Sequence, residues 1–264
     1  TNYYKSESLL HTRDASETQG GMSQITGLAA MAGVALTSSG GDKAAQTVEL
    51  IKSRNFVKHL LTFEDILPSI MASKSYNIST GELLFDQDLY DSKTKTWNRK
   101  ASKNRPKIPS YLEAYEAYMK MMSITQNKIT GFISISIEHV SPVFAKDFTE
   151  LIVREANELI RRKDMEKSKQ GIEYLTNELS KTPFVEIKES INTLIEAQLE
   201  TQMMAQIYED YILIEIEPPF IPEEKSKPQR ALICIIGTML GGMLSILIVL
   251  IRHYFFTERK QATV

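Results

Sequence analysis

The 21 residues from Ala231 to Ile251 constrain the fold of this chain more than any other segment, because none of them is charged. A helix rises about 1.5 Å per residue, so a helix of this length spans roughly 30 Å, the thickness of the hydrocarbon layer of a bilayer. The run therefore predicts a C-terminal transmembrane helix. Residues 218–230 form a proline-rich linker before it, and residues 252–264 follow it as a tail.

The linker and the run contain residues that suit a membrane boundary. We expect the linker to fix how the chain approaches the membrane through its prolines, which are Pro218, Pro219, Pro222 and Pro228. Inside the run, Gly237 and Gly241 are four residues apart, and Gly242 follows. This spacing of small residues lets two membrane helices pack closely, although it also arises by chance in apolar segments.

The charges around the run leave its orientation open. Three basic residues precede it and three follow it, in the order Lys225, Lys227, Arg230, Arg252, Arg259 and Lys260. The cytoplasmic side of a membrane helix carries the excess of lysine and arginine, so equal numbers favour neither direction.

Composition and motifs argue against several functional classes. The chain is 42% hydrophobic and 24% charged, as in ordinary globular proteins, and its net charge of −2 gives no basis for binding nucleic acid. Its one cysteine lies inside the apolar run, so no disulfide forms within the chain. The four histidines are scattered, and no phosphate-binding loop, dinucleotide fingerprint or nucleophile elbow occurs. We therefore expect no catalytic residues, no metal site and no cofactor.

Two long helices are predicted in the second half of the chain. Ser141-Pro142 combines an N-cap with a proline in the first turn, and Thr182-Pro183 is the next strong stop, so one helix of about 40 residues can connect them. After Pro183, an apolar residue recurs every four positions from Ile187 to Ile207. Residues 141–207 are therefore predicted to form a long helical hairpin.

Predicted strands flank this hairpin. Residues 129–137 and 211–216 alternate in a way that is typical of half-buried strands, and residues 3–10 suit a third strand. Shorter helices are predicted over residues 42–52, 54–62, 63–71 and 110–122, and residues 25–36 suit an apolar helix in the core or against another protomer. The predicted fold class is α+β, with an α/β base from residues 1–140 and 208–217, from which the hairpin protrudes.

Residues 73–109 are the least regular part of the predicted base, and their second half is strongly basic. Seven cations there are candidate contacts for a glycan or another anion: Lys93, Lys95, Arg99, Lys100, Lys103, Arg105 and Lys107. A solvated loop without a ligand explains the same cluster. Trp97, within the cluster, suits either a lid over the core or a platform for a sugar ring.

The end of the chain resembles the polysaccharide co-polymerases, the Wzz family of chain-length determinants. In that family a final strand leads through a proline-rich segment into a glycine-bearing membrane helix, here YILIEIEPPFIPEEKSKPQRALICIIGTMLGGMLSILIVLI. Weaker matches are YKSESLL near the start, the GLAAMAG segment, SRNF at Ser53–Phe56 and the Ser141-Pro142 start of the long helix. Together these segments cover most of the chain.

The resemblance implies a non-enzymatic regulator that sets the modal length of lipopolysaccharide O-antigen or a related glycan. Members of the family form ring-shaped homo-oligomers in the bacterial inner membrane and act with a Wzy-type polymerase on lipid-linked polysaccharide. By this resemblance, the base lies near the membrane in the periplasm, the tail is cytoplasmic, and a first transmembrane helix precedes Thr1, outside this sequence. The 13-residue tail is too short for the tyrosine-kinase domain of some capsule-type relatives.

Two other functions fit the same predicted architecture. One is a periplasmic adaptor or co-polymerase for export of capsule or exopolysaccharide, which would dock an export channel through its hairpin. The other is a tail-anchored cytosolic interaction protein. A second apolar run of about 20 residues before Thr1 would argue against the cytosolic protein, because it would add a second membrane span.

Overall fold

In a computed structural model, the described residues are 1–13, 40–102, 105–127, 129–227, 235 and 238–248, with the backbone alone for residues 40–43. Their helices are α1 (Gly40–Ile51), α2 (Arg54–Leu60), α3 (Ile66–Ala72), α4 (Tyr111–Met121), α5 (Pro142–Lys181) and α6 (Val185–Ile207). Their strands are β1 (Tyr4–Thr12), β2 (Ser73–Asn77), β3 (Glu82–Phe85), β4 (Tyr90–Asp91), β5 (Thr96–Trp97), β6 (Met122–Gln126), β7 (Ile133–His139) and β8 (Leu213–Glu217). These elements confirm the α+β class.

The centre of the base is an antiparallel sheet of four strands in the order β6-β7-β1-β8. β1 pairs with β7 along seven residues, from Tyr4 opposite His139 to Leu10 opposite Ile133. β8 pairs with the second half of β1 only, and the register shifts between Leu9 and Leu10. The first strand of the chain is therefore an inner strand of the sheet, with a partner on each side.

The hydrophobic core lies between this sheet and helices α1 to α5. The predicted buried face of β7 is confirmed, since Ile133, Ile135 and Ile137 are fully buried. Ser136 on the opposite face is buried as well, and the strand begins later than predicted. The three isoleucines belong to one cluster with side chains of α2 and α5 that include Phe56 and Phe148. Burying each such side chain stabilises the fold by about 1.5–3 kcal/mol, so the sheet and the first half of α5 form one unit.

Serine side chains begin three of the helices. Ser53, Ser110 and Ser141 precede α2, α4 and α5, and each hydroxyl accepts a hydrogen bond from the backbone N–H three residues later, at 3.1, 3.3 and 3.2 Å. These caps satisfy N–H groups that have no partner inside the helix, and each stabilises its helix by about 1 kcal/mol.

α5 and α6 form the predicted helical hairpin, with limits within a residue of the prediction. α5 runs for 40 residues, and beyond Asn157 its one buried side chain is Ser168. Small residues on this outer half let the two helices approach each other. The side chain of Gln198 on α6 lies 3.4 Å from the position that a Cβ atom on Gly171 would occupy.

Asn157 joins the root of the hairpin to the sheet. Its side-chain oxygen accepts hydrogen bonds from the N–H groups of Ile212 and Leu213, at 3.0 and 2.8 Å, and its side-chain nitrogen donates one to the Leu213 carbonyl at 2.9 Å. Asn157 is buried. One amide therefore fixes the point at which the chain returning from α6 rejoins the sheet.

The sequence predicts a helix to about Met122 and makes residues 73–109 the least regular part of the base. The helix ends within a residue of that limit, but the sequence does not predict the strand that follows it. α4 ends at Met121, and the chain passes directly into β6, where Met122 pairs with Ile137. Met122 is buried in this position, so pairing with the sheet ends the helix where the sequence holds no glycine or proline. Within residues 73–109, β2–β3 and β4–β5 form two small antiparallel pairs.

The predicted membrane helix falls partly outside the described residues. Residues 238–248 and residue 235 are helical, and the rest of 231–251 is not described, nor are residues 14–39 and 252–264. Among the residues described, no helix is long and apolar enough to cross a membrane. The structure therefore gives the transmembrane helix no support, and it stays a prediction.

Candidate functional site

Residues 93–107 contain the seven predicted contact cations and are called the basic loop below. It begins in the turn between β4 and β5, where the Asp91 carboxylate accepts hydrogen bonds from the Lys93 N–H and the Thr94 hydroxyl, both at 2.9 Å. These bonds hold the pKa of Asp91 below its usual range. Lys95 completes the turn with a positive φ of 52°.

Two of the seven cations hold the basic loop in place. Lys95 forms an ion pair with Glu64 and lies 3.8 Å from Asp65. Arg99 pairs with Glu113 on α4 at 2.7 Å, and its guanidinium also donates hydrogen bonds to two carbonyl groups later in the loop. The Arg99 side chain is only 14% exposed. We therefore assign Lys95 and Arg99 to the stability of the loop.

The other cations of the basic loop do not share one acidic partner among the described residues. Within the described residues, no ion pair involves Lys93, Lys100, Arg105 or Lys107, and Lys103 lies outside them. Of the seven, Arg99 and Arg105 line a common cavity. Contact between a glycan and these cations stays a prediction.

A cavity of about 330 Å³, called the tryptophan cavity below, is lined by residues of the basic loop and of α4. Trp97 forms part of its wall, and the polar lining consists of Arg99, Arg105, Glu113, Glu116 and Lys120. The Trp97 ring lies 5.1 Å from the ring of Tyr90, tilted by 55°. Tyr90 is buried, so Trp97 covers a buried ring at this contact, while a lid over the main core stays a prediction. The platform for a sugar ring stays a prediction.

A second cavity of about 340 Å³ lies beside the first and shares Ala117 and Lys120 with it. His139 lines this second cavity; its Nε2–H donates to the Ser69 carbonyl at 3.0 Å, and its Nδ1 accepts from the Ser141 N–H at 3.1 Å. Burial lowers the pKa of His139 to about 4, so the ring is neutral near pH 7. His139 joins α3, β7 and the start of α5, which is a structural role.

Residues 217–227, called the strap below, continue from β8 along the first half of β1. The Ser8 hydroxyl donates to the Glu217 carbonyl at 2.9 Å, and the Ser6 hydroxyl donates to the Phe220 carbonyl at 2.7 Å. Proline has no N–H group and cannot extend a strand ladder. The two buried serines of β1 therefore supply hydrogen bonds where the proline-rich partner cannot form a regular ladder.

The predicted prolines differ in their surroundings. Pro219 and Pro222 are buried, Pro218 is exposed, and Pro228 lies outside the described residues. Sequence reasoning did not identify the serines that hold this segment. The available signal is their alternation within a predicted strand, which places two small polar side chains on one face of β1.

The strap ends against the start of the chain. The Tyr3 N–H donates to the Lys227 carbonyl at 3.1 Å, and the Ser226 N–H donates to the Tyr3 carbonyl at 2.8 Å. The Glu138 carboxylate on β7 accepts from the Lys227 ammonium at 2.5 Å and from the Ser226 hydroxyl at 2.7 Å. Burial acts to raise the pKa of Glu138, but these hydrogen bonds outweigh it and hold the pKa below its usual range.

An apolar ridge, called the α6 ridge below, winds around α6. Its residues are four positions apart: Ile187, Ile191, Ile195, Leu199, Met203 and Ile207. A helix turns about 100° per residue, so each step of four residues advances the ridge by about 40° and five steps advance it by about 200°. A straight neighbouring helix cannot cover a ridge that turns through half a circle.

The exposure of the side chains follows this geometry. From Ile191 onward the exposure rises, because Ile191 is only 7% exposed, whereas Leu199, Met203 and Ile207 are 43%, 58% and 65% exposed. Ile187, close to the turn of the hairpin, is 48% exposed and stands outside this trend. These last three residues are called the open half of the α6 ridge. Within the part of the chain that the structure describes, the open half has the exposure of an uncovered apolar surface.

The predicted packing glycines lie in or next to the helical residues 238–248. An added Cβ atom at Gly241 or Gly242 would meet no atom within 4 Å, so none of the residues that the structure describes packs closely against them. Gly237 lies outside the described residues. Packing of membrane helices through these glycines stays a prediction.

No protein-family model matches the chain, and no curated protein sequence matches it. Among solved structures, the chain is similar to a fragment of WzzB, a polysaccharide co-polymerase from Salmonella Typhimurium. The two share 10% sequence identity, and the match covers 86% of this chain and 100% of that fragment, with a TM-score of 0.33. This is at most a distant relationship, and it does not assign the chain to a family.

Proposed function

We propose that this protein is a non-enzymatic regulator of polysaccharide chain length. It acts as an oligomeric scaffold in the bacterial inner membrane, together with a Wzy-type polymerase, on lipid-linked polysaccharide such as O-antigen. In this proposal the base and the hairpin are periplasmic, residues 231–251 span the membrane, and residues 252–264 are cytoplasmic.

The observation that carries the proposal is the convergence of the hairpin and the strap on one sheet. β7 leads into α5, α6 returns to β8, and β8 continues as the strap, so both parts connect to strands that flank β1. The 40 residues of α5 correspond to about 60 Å of helix. The base is connected both to a helix of this length and to the strap that precedes the apolar run. This arrangement suits a scaffold that projects from a membrane.

The strap supports attachment of the base through the apolar run. Lys227 is held by Tyr3 and Glu138, and only three residues separate it from Ala231. So short a connection ties the start of the run to one corner of the base, because the four residue steps from Lys227 to Ala231 reach roughly 14 Å at most.

The open half of the α6 ridge supports assembly of several copies. Leu199, Met203 and Ile207 expose apolar surface that would gain stability by leaving water. Tyr208, which follows them, is also 37% exposed. The hairpin of a neighbouring copy carries the same long helices, so it offers a surface long enough to cover this ridge. We therefore propose that protomers contact each other here.

The length distribution of the cell's surface polysaccharide tests the proposal. We expect deletion of the gene to leave polymer on the surface but to remove its preferred length, and the intact gene to restore that length on a lipopolysaccharide gel. Loss of all surface polymer would instead favour the export adaptor. An unchanged ladder would contradict both functions.

The mass of the purified protein tests the scaffold separately. We expect a defined multiple of the chain mass in detergent and again in a bilayer disc. A monomer in both environments would refute a scaffold built from copies of this chain.

A further inference from the structure

The polar groups around the tryptophan cavity are not all used within the protein. Arg99 and Glu113 pair with each other across its lining. Within the described residues, no hydrogen bond or ion pair involves the side chains of Arg105, Glu116 or Lys120. Two cations and one carboxylate therefore remain, and together they leave the cavity with one net positive charge.

Helix α4 supplies one polar wall of this cavity. Glu116, Ala117 and Lys120 lie three, four and seven residues after Glu113, so the four residues share one face of the helix. The short side chain of Ala117 leaves space between the longer ones. Arg105 reaches the same cavity from the basic loop. Arg105, Glu116 and Lys120 therefore line one cavity.

The aromatic wall is held in place before any ligand arrives. Tyr90 lies 5.1 Å from Trp97 on one side and 5.5 Å from Phe85 on the other, measured between ring centroids. A ring fixed by its neighbours loses little conformational freedom on binding, which favours affinity. The indole N–H of Trp97 has no hydrogen-bond partner among the residues described, so it is free to donate to a ligand.

We propose that the tryptophan cavity binds one sugar unit that carries one anionic group. The sugar ring stacks on Trp97, the anionic group lies between Arg105 and Lys120, and Glu116 accepts a hydrogen bond from a ring hydroxyl. A volume of about 330 Å³ is at the lower end of ligand cavities, which suits a single unit rather than a long segment of polymer. This inference rests on the proposed function, because the polysaccharide supplies the ligand.

The fluorescence of Trp97 provides a direct test, because it is the only tryptophan in the chain. The purified full chain in detergent is titrated with four probes: an oligosaccharide containing glucuronic acid, a hexose phosphate, a neutral oligosaccharide and inorganic phosphate. We expect a saturable change with a sugar that carries an anion, and binding at least about tenfold weaker for the neutral sugar and for inorganic phosphate. Comparing the two anionic sugars distinguishes a carboxylate from a phosphate group.

Substitutions then locate the binding. Ala117→Leu adds bulk to the wall of the cavity without removing a charge, and we expect it to abolish the saturable change. Arg105→Gln and Lys120→Gln each remove one anion contact, with an expected loss of about tenfold in affinity. Lys74→Gln is the matched control, because it removes an exposed lysine elsewhere in the base and leaves the cavity intact.

Three outcomes overturn the inference. No response to any probe, the same response in Ala117→Leu, or a response to inorganic phosphate alone would refute a sugar site in this cavity. The gene deletion separates this result from the proposed function. If the gene deletion abolishes the preferred length but no probe changes the fluorescence, the proposed regulator stands and the sugar site is refuted. If the fluorescence titration detects the sugar site but the gene deletion leaves the polysaccharide ladder unchanged, the proposed regulator is refuted and the sugar site is not.

Discussion

Replacing Asn157 by alanine tests the joint between the hairpin and the sheet. The substitution removes three hydrogen bonds at a position that is 3% exposed. A typical hydrogen bond contributes about 1 kcal/mol net, and a buried backbone group left without a partner costs about 1–3 kcal/mol. Because β8 is an edge strand, water can reach some of these groups. We therefore expect the free energy of unfolding to fall by about 3–4 kcal/mol.

Equilibrium unfolding of the full chain in detergent measures this loss, followed by circular dichroism and by the fluorescence of Trp97. Asn177→Ala is the matched control on the same helix. Asn177 is exposed, and the one hydrogen bond recorded for it uses its backbone carbonyl, so we expect a change within about 0.5 kcal/mol. A loss below about 1 kcal/mol for Asn157→Ala would refute the assignment of the joint to this amide.

Asn157→Asp tests the orientation of the same amide. The new side chain keeps an oxygen for the two N–H groups, but it places a second oxygen against the Leu213 carbonyl. Two acceptors in contact repel each other, and a buried charge adds a further cost. We expect this variant to be at least as unstable as Asn157→Ala at neutral pH. Stability equal to that of the unaltered protein would contradict the orientation.

Three further predictions concern the ridge, the buried histidine and the strap. Met203→Glu places a charge on the open half of the α6 ridge and should weaken association at least about tenfold by sedimentation, whereas Ser190→Glu, on another face of α6, should leave the oligomer intact. Burial lowers the pKa of His139 to about 4. As the pH falls from about 6.5 to about 4, His139 therefore binds a proton in the unfolded chain but stays neutral in the folded chain. Stability should fall over that interval by up to about 3 kcal/mol, and His139→Gln should flatten the slope; an equal slope would contradict the pKa. Ser6→Ala combined with Ser8→Ala should cost about 2 kcal/mol and speed hydrogen exchange in the strap but not in β7, and equal protection in the strap would contradict its attachment through these serines.

The hairpin can be predicted from the sequence because its limits depend on adjacent residues. Ser141-Pro142 starts α5 through a cap and a fixed backbone angle, and Pro183 separates α5 from α6. The alternation in β7 is equally local, and it correctly marks the buried face. These signals need no knowledge of the rest of the fold.

The other features depend on residues that are distant in sequence. Met122 leaves its helix because it pairs with Ile137, and no local signal marks that change. The Ser6 hydroxyl meets a carbonyl 214 residues later, so neither position predicts the contact alone. The tryptophan cavity likewise requires the basic loop to fold onto α4, which the Arg99–Glu113 pair accomplishes.

The strap and β1 have a mechanical consequence, because they run in opposite directions and meet at the corner of Tyr3 and Lys227. A sideways pull on the strap at this corner opens its hydrogen bonds one after another, beginning with the corner and continuing through Ser6 and Ser8. Glu138 changes this order of opening, because it also connects the same corner to β7. Force that arrives through the strap is therefore shared with an inner strand of the sheet before the edge can peel away.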